Sequence, residues 1–278
     1  MVKSIGYLGP CGTFSHEAAE LYAQGQSCTL MEFVSIQDVL YAVKDNVISE
    51  AIVPIENSLE GAVNVTLDVL AKEEGLYIKG ELILPVSLNL VVRKGTLPGD
   101  ITAIMSHPQP LGQAREYLNR CYPKADQIEE NSTSKAAQRV SEGDGTYAAI
   151  TSRTAAKING LDVLAADIQD VANNHTRFVI ISKEYSKRTG CDKTSIVFST
   201  DNKPGSLYRV LDIFSLWDIN MTRIESRPSK NALGQYIFFI DIDGHIEDQD
   251  VYDAMTMIKR KTSFYRFIGS YPMIKGKI

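Results

Sequence analysis

Residues 171–181 have the sequence Val171-Ala172-Asn173-Asn174-His175-Thr176-Arg177-Phe178-Val179-Ile180-Ile181. Polar side chains run directly into a β-branched strand pattern, which predicts a polar cluster at the end of a buried strand. Thr176 supplies a hydroxyl, and Arg177 supplies a planar set of donors that matches a carboxylate. The stretch therefore fits a site for a small anionic ligand. It equally fits a polar turn before a buried strand, with Arg177 paired to a nearby acid.

The chain has 278 residues and a formal net charge of -5. This length predicts two folding units, one of them large enough for two lobes. The chain has no run of Lys and Arg, and no apolar run approaches the ~20 residues needed to span a bilayer. These properties argue against nucleic acid and membranes as partners and favour small molecules. The N-terminus enters a strand pattern without the apolar region of a signal peptide, and a cytoplasmic location is therefore expected.

The four cysteines, at positions 11, 28, 121 and 191, are scattered, and no pair has C-x-x-C spacing. No histidine completes a metal-binding set with them, so no metal site or redox motif is predicted. Cys11 lies in a glycine-rich turn and is a candidate nucleophile, although the sequence shows no base beside it.

Further polar clusters fall where predicted strands meet predicted helices. Residues 9–15, Gly-Pro-Cys-Gly-Thr-Phe-Ser, follow a short strand and precede a helix predicted from about His16. Ser15 is expected to cap this helix, and the N–H groups of its first turn can face a carboxylate. The loop lacks the spacing of a phosphate loop or a dinucleotide fingerprint. A simple strand-to-helix turn is the alternative.

The segment Glu56-Asn57-Ser58 follows an apolar strand over residues 51–55. It lies at the carboxyl end of that strand, where open α/β sheets bind ligands. Asn57 or Ser58 equally fits the N-cap of a helix predicted over residues 63–71, and Glu56 equally fits a structural role. Ser106 and Gln113 mark a third junction, where His107 is either a base or a structural residue.

Strands alternate with helices up to about residue 184, which predicts an α/β unit with a ligand cleft between two lobes. The charged run over 183–192 predicts a linker. Beyond it, residues 193–271 show the order βαββαβ of the ferredoxin-like fold, with two strands joined through residues 228–234. The exposed edges of so small a sheet favour pairing with another copy of the chain.

Together these segments resemble the prephenate dehydratase family, whose members convert prephenate to phenylpyruvate. The resemblance rests on residues 9–15, on Pro-Ile-Glu-Asn-Ser at 54–58, on Ser-His-Pro-Gln at 106–109, on Ser132-Thr133 with Ala136-Ala137, and on Thr-Arg-Phe at 176–178. Residues 225–228 are Glu-Ser-Arg-Pro and match the ESRP motif of the family's regulatory ACT domain. The companion GALV motif appears here as Gly-Ser-Leu-Tyr at 205–208, with two departures.

The resemblance implies a two-lobed α/β catalytic domain of the type II periplasmic-binding-protein kind over residues 1–184. Its lobes would cover about 1–76 plus 165–184, and 77–164. A linker over 185–192 and a ferredoxin-like ACT domain over 193–278 would follow. The resemblance also implies a homodimer or homotetramer. It implies no cofactor and no metal, because losing carbon dioxide and a hydroxyl from prephenate leaves an aromatic ring and needs no electron sink.

The resemblance further implies residue roles. Thr176 would donate a hydrogen bond or a proton to the leaving hydroxyl, within a catalytic network of Asn57, Ser106 and Gln113. The implied substrate-binding residues are Arg177, Thr13, Ser15, Glu56, Ser58 and Phe178, although Phe178 also fits the core. Phenylalanine would bind the ACT domain as effector through Gly205, Ser206, Leu207, Glu225, Ser226, Arg227 and Pro228.

Two rival functions remain open at this point. Arogenate dehydratase removes the same groups from the amino analogue of prephenate, and the sequence does not distinguish a keto from an amino side arm. A non-catalytic amino-acid sensor would use the same fold only to bind a ligand and report it.

Overall fold

The computed structural model describes residues 3–229 and 235–274. Residues 230–234, within the predicted connection of the second domain, lie outside the described residues, as do the last four residues of the predicted ACT domain. The strands are β1 (Lys3–Leu8), β2 (Cys28–Phe33), β3 (Glu50–Asn57), β4 (Gly61–Ala62), β5 (Tyr77–Pro85), β6 (Asn89–Val92), β7 (Ala103–Ser106), β8 (Asp126–Glu129), β9 (Tyr147–Thr151), β10 (Asp162–Ala165), β11 (His175–Ser182), β12 (Asp192–Ser199), β13 (Met221–Pro228), β14 (Tyr236–Asp243) and β15 (Phe264–Pro272). The α-helices are α1 (Phe14–Ala23), α2 (Ile36–Lys44), α3 (Asn64–Lys72), α4 (Pro108–Gln113), α5 (Arg115–Cys121), α6 (Thr133–Glu142), α7 (Arg153–Ile158), α8 (Ser206–Leu216) and α9 (Gln249–Lys261).

The first sheet has the strand order β2-β1-β3-β11-β5, and β4 pairs with β3. The stretch that opens the sequence analysis forms β11, so its predicted strand is confirmed. β11 lies between β3 and β5, and this position brings its polar start beside the polar end of β3. The apolar residues that follow, Val179 to Ile181, are buried. Because the apolar part of β11 is buried within the sheet, the polar residues at its start are held beside the end of β3.

The second sheet has the order β10-β6-β9-β7-β8. β7 runs parallel to β8 and β9, whereas β6 is antiparallel to β9 and β10. Alternate residues on its strands pack in two separate cores: one includes Ile104 and Leu111, and the other includes Met105 and Ala136. Helices therefore cover both faces of this sheet, as in other α/β sheets with parallel strands.

The third sheet has the order β13-β14-β12-β15, and its neighbouring strands pair in antiparallel register. Together with α8 and α9, it gives the predicted order βαββαβ, so the ferredoxin-like prediction is confirmed. One core joins the two helices to one face of the sheet, through residues such as Ile196, Ile240, Val210 and Ala254. The opposite face of the sheet is therefore available to another element.

Contacts divide the described residues into two compact units. Unit 1 comprises Met1–Val39, Ile52–Gly61 and Ile83–Phe178, and it contains the second sheet and every predicted catalytic residue. Unit 2 comprises Leu40–Ala51, Ala62–Leu82 and Val179–Ile278, and it contains α3 and the third sheet. The predicted lobe and linker boundaries stay predictions. Among the described helices, none is long and apolar enough to cross a bilayer.

Two predicted helix caps were wrong. The N-cap of α1 is Thr13, whose Oγ1 accepts from the His16 N–H at 3.3 Å, and Ser15 lies inside the helix. The N-cap of α3 is Val63, which makes no side-chain cap bond. Asn57 does not cap α3 because its side chain closes a turn directly after β3, before β4 begins.

Candidate active site

The candidate site begins where β3 ends beside the start of β11. The Asn57 Nδ2 donates to Thr176 Oγ1 at 2.9 Å. Thr176 is 9% exposed, so its hydroxyl lies in a largely dry environment. A hydroxyl can accept two hydrogen bonds and donate one. Because Thr176 accepts from Asn57, its proton is available for a ligand.

The amide of Asn57 is fixed in one orientation. Its Oδ1 accepts from the N–H groups of Leu59 and Glu60 at 3.0 Å each. Its Nδ2 donates to Asn174 Oδ1 at 2.9 Å as well as to Thr176. Backbone N–H groups can only donate, so they identify which atom of the amide is oxygen. Asn57 therefore presents a donor to Thr176 and orients the hydroxyl.

Asn174 connects Asn57 to Gln113. The Asn174 Nδ2 donates to Gln113 Oε1 at 3.1 Å, and Asn174 is only 2% exposed. A chain of amides therefore runs from Gln113 through Asn174 and Asn57 to the Thr176 hydroxyl, and we call it the amide relay. The predicted catalytic set contained Asn57 and Gln113 but omitted Asn174. The period of two along a strand offers a signal for Asn174, because residues two apart face the same side.

Ser106 lies outside this relay. Its hydroxyl is fully buried and donates to the carbonyl oxygen of Ile150 at 2.7 Å. This bond ties the end of β7 to β9 in the second sheet. The described contact of Ser106 is therefore with the scaffold, and its place in the catalytic network stays a prediction. His107 is likewise structural in its contacts, since it is the N-cap of α4 and its ring accepts from the Gln109 N–H.

Arg177 and Glu56 form a second pair beside the relay. An Arg177 Nη1 lies 3.8 Å from Glu56 Oε2, and the side chains are 12% and 39% exposed. Successive residues of a strand point to opposite faces of a sheet. Thr176 and Arg177 are therefore directed to opposite sides of β11, and the expected single cluster is divided. A ligand that contacts both Thr176 and Arg177 therefore has to extend around the start of β11.

The other predicted substrate-binding residues have different surroundings. Thr13 donates to the carbonyl of Leu8 at 3.1 Å while it caps α1, and Ser15 is 7% exposed. Ser58 donates to the carbonyl of Asn173 and accepts from the His175 N–H at 2.9 Å. Phe178 is 1% exposed and lies in the core, which is the alternative that the sequence also allowed, and its assignment to the substrate site stays a prediction.

The Gly12 loop is held against the second sheet's helices. The Gly12 carbonyl accepts from Ser152 Oγ at 2.9 Å, and Gly12 has a φ of 89°. A Cβ at this position would lie 3.1 Å from Ser134 Oγ and 3.1 Å from the Ala155 Cα. The loop therefore needs glycine for its backbone conformation and for its close approach.

We expect Gly12→Ala to lower the free energy of unfolding by about 1–3 kcal/mol, the usual range for a strained backbone position. Thermal and urea unfolding would measure the loss. The matched control is Gly25→Ala, because Gly25 also has a positive φ of 74° but nothing lies within 4 Å of its added Cβ. Equal losses in the two variants would show that the close approach to Ser134 and Ala155 costs nothing.

A base lies beside Cys11 in the structure, although none could be identified from the sequence. The Cys11 Sγ is 3.7 Å from each ring nitrogen of His16, and Cys11 is exposed. The His16 Nδ1 also accepts from the Gly12 N–H at 3.3 Å. Burial, followed by the nearby Cys11 and Glu32, raises the pKa of the Tyr7 hydroxyl above its ordinary value. The sequence predicted this helix from about His16, whereas α1 begins two residues earlier, at Phe14, so His16 lies in its first turn, beside the loop that carries Cys11.

The predicted effector residues lie on two parts of the third sheet's domain. Gly205 has a φ of 75° and is the N-cap of α8, and Ser206 Oγ accepts from Arg209 at 3.1 Å. Residues 225–228 end β13, an edge strand. Arg227 is the exception in this group, because its guanidinium contacts α3.

The fold and the site define a class of α/β protein in which a buried hydroxyl is held by amides at strand ends and a ferredoxin-like domain follows. The family model described as prephenate dehydratase matches residues 5–186, and the ACT domain model matches residues 194–256. The chain belongs to the prephenate dehydratase family and carries a C-terminal ACT domain. It is therefore an enzyme of the lyase reaction type.

Individual proteins are similar to this chain over most of its length. A bifunctional chorismate mutase/prephenate dehydratase of Aquifex aeolicus is 40% identical over 96% of this chain and 73% of its own length. The solved structure of prephenate dehydratase from Arthrobacter aurescens in complex with L-Phe has a TM-score of 0.88 and 38% identity, over 97% of this chain and 90% of that one. A structure described as GqqA, a novel type of quorum quenching acylase, has a TM-score of 0.87 and 28% identity, over 98% and 99%.

Proposed function

We propose that this chain catalyses the decarboxylating dehydration of prephenate to phenylpyruvate. The observation that carries the proposal is the Thr176 hydroxyl, which accepts from Asn57 and keeps its proton for a ligand. It occurs in a chain whose family model covers the whole α/β part. The amide relay supports the proposal because it holds the hydroxyl in one orientation before substrate arrives.

The step that needs catalysis is the departure of the ring hydroxyl. The bond to the departing carboxylate breaks, its electron pair enters the ring, and the ring hydroxyl leaves as water after taking up a proton. Aromaticity makes the reaction favourable, so no oxidant or electron sink is needed. A hydroxyl is a poor leaving group, and a donor aimed at its oxygen stabilises the charge that develops there. We assign Thr176 to that donor role, and the amide relay supports this assignment because it orients the hydroxyl.

Arg177 is the candidate for the retained carboxylate, because a guanidinium binds a carboxylate through two parallel hydrogen bonds. We expect Arg177→Ala to raise the KM for prephenate about 10- to 100-fold with a smaller change in kcat, since a hydrogen bond to a charged group contributes about 1.5–3 kcal/mol. Steady-state kinetics would measure this, with Glu56→Gln as the control that removes the neighbouring carboxylate. A KM within about threefold of wild type in Arg177→Ala would assign Arg177 a structural role.

The decisive experiment is a spectroscopic assay that offers prephenate and arogenate to the same enzyme preparation. Turnover of prephenate with higher kcat/KM supports the proposal, and higher kcat/KM for arogenate favours the amino analogue as substrate. No turnover of either compound, with ligand binding retained, excludes both dehydratase activities and favours the amino-acid sensor, unless the chain hydrolyses an acylated amine.

Phenylalanine is the proposed effector. The structure from Arthrobacter aurescens was solved in complex with L-Phe, and this chain carries the matching ACT domain. Isothermal titration with phenylalanine, alongside turnover with and without it, tests this part. The homodimer or homotetramer implied by the resemblance and the expected cytoplasmic location belong to the same proposal.

An acylase activity is the second candidate. It is favoured by the likeness to the acylase structure and by the 3.7 Å distance between the Cys11 sulfur and the His16 ring, since acyl transfer uses a nucleophile beside a base. Hydrolysis of an N-acylated amine that is lost in Cys11→Ala but retained in Thr176→Val would support it. No hydrolysis by the unaltered chain removes this candidate.

A further inference from the structure

Arg227 holds the first part of α3 within unit 2. Its Nη1 donates to the carbonyl oxygen of Asn64 at 2.6 Å and lies 2.9 Å from Asp68 Oδ1. The Arg227 side chain is 11% exposed and that of Asp68 is 31% exposed. An ion pair that is partly withdrawn from water and shared with a helix carbonyl is more rigid than an exposed surface pair.

Arg266 holds the other end of the same helix. Its Nη1 donates to the carbonyl oxygen of Ala71 at 2.6 Å, and its Nη2 lies 3.4 Å from Glu74 Oε1. The last carbonyls of a helix have no partner within the helix, and a positive charge there is favoured by the helix dipole. Arg266 is therefore a C-terminal cap for α3, supplied by β15.

The two arginines come from opposite edges of the third sheet, since β13 and β15 are its edge strands. In the strand register Arg227 pairs with Ile237 and Arg266 pairs with Val197. Val197 alternates with residues such as Ile196 that pack on α8 and α9, so both arginines point to the opposite face. Helix α3 therefore lies across that face and is held at both edges.

Helix α3 is also the element that follows the Asn57 turn. Only β4 and its flanking residues separate Asn57 from Asn64 in the chain, and β4 pairs with β3, which ends at Asn57. The segment between Asn57 and the start of α3 is therefore short, and part of it is hydrogen-bonded to β3. Asn57 in turn sets the orientation of the Thr176 hydroxyl.

We propose that the Arg227–Asp68 pair transmits occupancy of the effector site to the Asn57–Thr176 hydrogen bond through α3. The inference rests on the proposed function and deepens it by naming the residues that connect effector and site. Residues 225–228 are predicted effector contacts, and Arg227 is one of them. An amino acid bound at residues 225–228 brings its carboxylate close to the Arg227 guanidinium, which already holds Asp68. The two carboxylates then compete for Arg227, so the ligand makes different contacts when the Arg227–Asp68 pair is formed and when it is broken. A ligand shifts a conformational equilibrium only through such a difference.

The test is Asp68→Asn, which keeps the size of the side chain and removes its charge. For wild type, we expect phenylalanine to change kcat/KM for prephenate by roughly 5- to 150-fold, the usual range of coupling between two sites. In Asp68→Asn this change should fall below about threefold. The Kd for phenylalanine from isothermal titration should be equal to or lower than that of wild type, because the competing carboxylate is gone. Rescue of the response by Asp68→Glu is also expected, since the carboxylate is restored.

The matched control is Asp201→Asn, because Asp201 forms an exposed ion pair in the same domain, with Lys203 at 2.9 Å. It should keep the wild-type response. If thermal denaturation shows that Asp68→Asn is poorly folded, Arg227→Lys replaces it and must lose the response too, since lysine lacks the planar fork. The proposal is overturned if phenylalanine changes kcat/KM in the variant as much as in wild type. It is also overturned if the variant loses phenylalanine binding to the same extent as it loses the change in kcat/KM.

Hydrogen exchange separates failure of this inference from failure of the proposed function. Phenylalanine should change amide exchange over residues 57–68 in wild type and in Asp201→Asn, but not in Asp68→Asn. This readout needs no turnover, so a chain that leaves prephenate unchanged still tests the inference. Unchanged exchange in wild type with saturating phenylalanine overturns it.

Discussion

Thr176→Val is expected to lower kcat for prephenate by about 10²- to 10³-fold and to leave KM within about threefold. Removing one donor aimed at a developing negative charge has a cost of this size in other enzymes. Valine preserves the shape of threonine but has no hydroxyl, so substrate still fits while the leaving oxygen loses its donor. An effect confined to kcat is the signature of an interaction made in the transition state.

Steady-state kinetics with prephenate would measure both constants, and Thr176→Ser is the matched control because it retains the hydroxyl. The serine variant should keep kcat within about tenfold of wild type. The fold should tolerate Thr176→Val, because the Asn57 Nδ2 keeps Asn174 Oδ1 as a partner, and the free energy of unfolding should change by about 1 kcal/mol or less. A kcat close to wild type in the valine variant would remove Thr176 from the mechanism.

Much of the fold could be predicted because it depends on short patterns. The βαββαβ order of the third sheet's domain follows from alternating apolar strands and helices with one apolar face, and the structure confirms it. The buried run after Thr176 likewise predicted β11. The strand β2, by contrast, received no prediction, because half of its residues are exposed and its pattern resembles that of a loop.

The candidate site was only partly predictable, because it depends on which strands become neighbours. Asn57 and Thr176 are 119 positions apart, and only the pairing of β3 with β11 brings their side chains together. The relay through Asn174 and the contact between Cys11 and His16 depend on the same tertiary placement. The division of Thr176 from Arg177 follows from strand alternation, but only once the start of β11 is known. Local patterns thus predict which segments carry a site, and strand neighbours decide which side chains meet.

Asn57→Asp is expected to fold and to lose kcat by about 10²- to 10³-fold, a loss comparable to that of Thr176→Val. One oxygen of the introduced carboxylate can still accept from the Leu59 and Glu60 N–H groups, so the turn after β3 is preserved. The other oxygen replaces the Nδ2 that donates to Asn174 and Thr176. The Thr176 hydroxyl then donates to this carboxylate, and its proton is no longer available to the leaving group.

The pH profile distinguishes this explanation from simple damage to the site. Below the ordinary pKa of an aspartate, about 4, the introduced carboxyl is protonated and can donate to Thr176 again. The kcat of Asn57→Asp relative to wild type should therefore rise as the pH falls toward that value. Asn57→Ala is the control, since it has no titrating group and also removes the acceptor of the turn. It should lose kcat at every pH and lose about 1–3 kcal/mol of unfolding free energy as well. A flat ratio between Asn57→Asp and wild type across this range would mean that the amide donor does not set the orientation of the Thr176 hydroxyl.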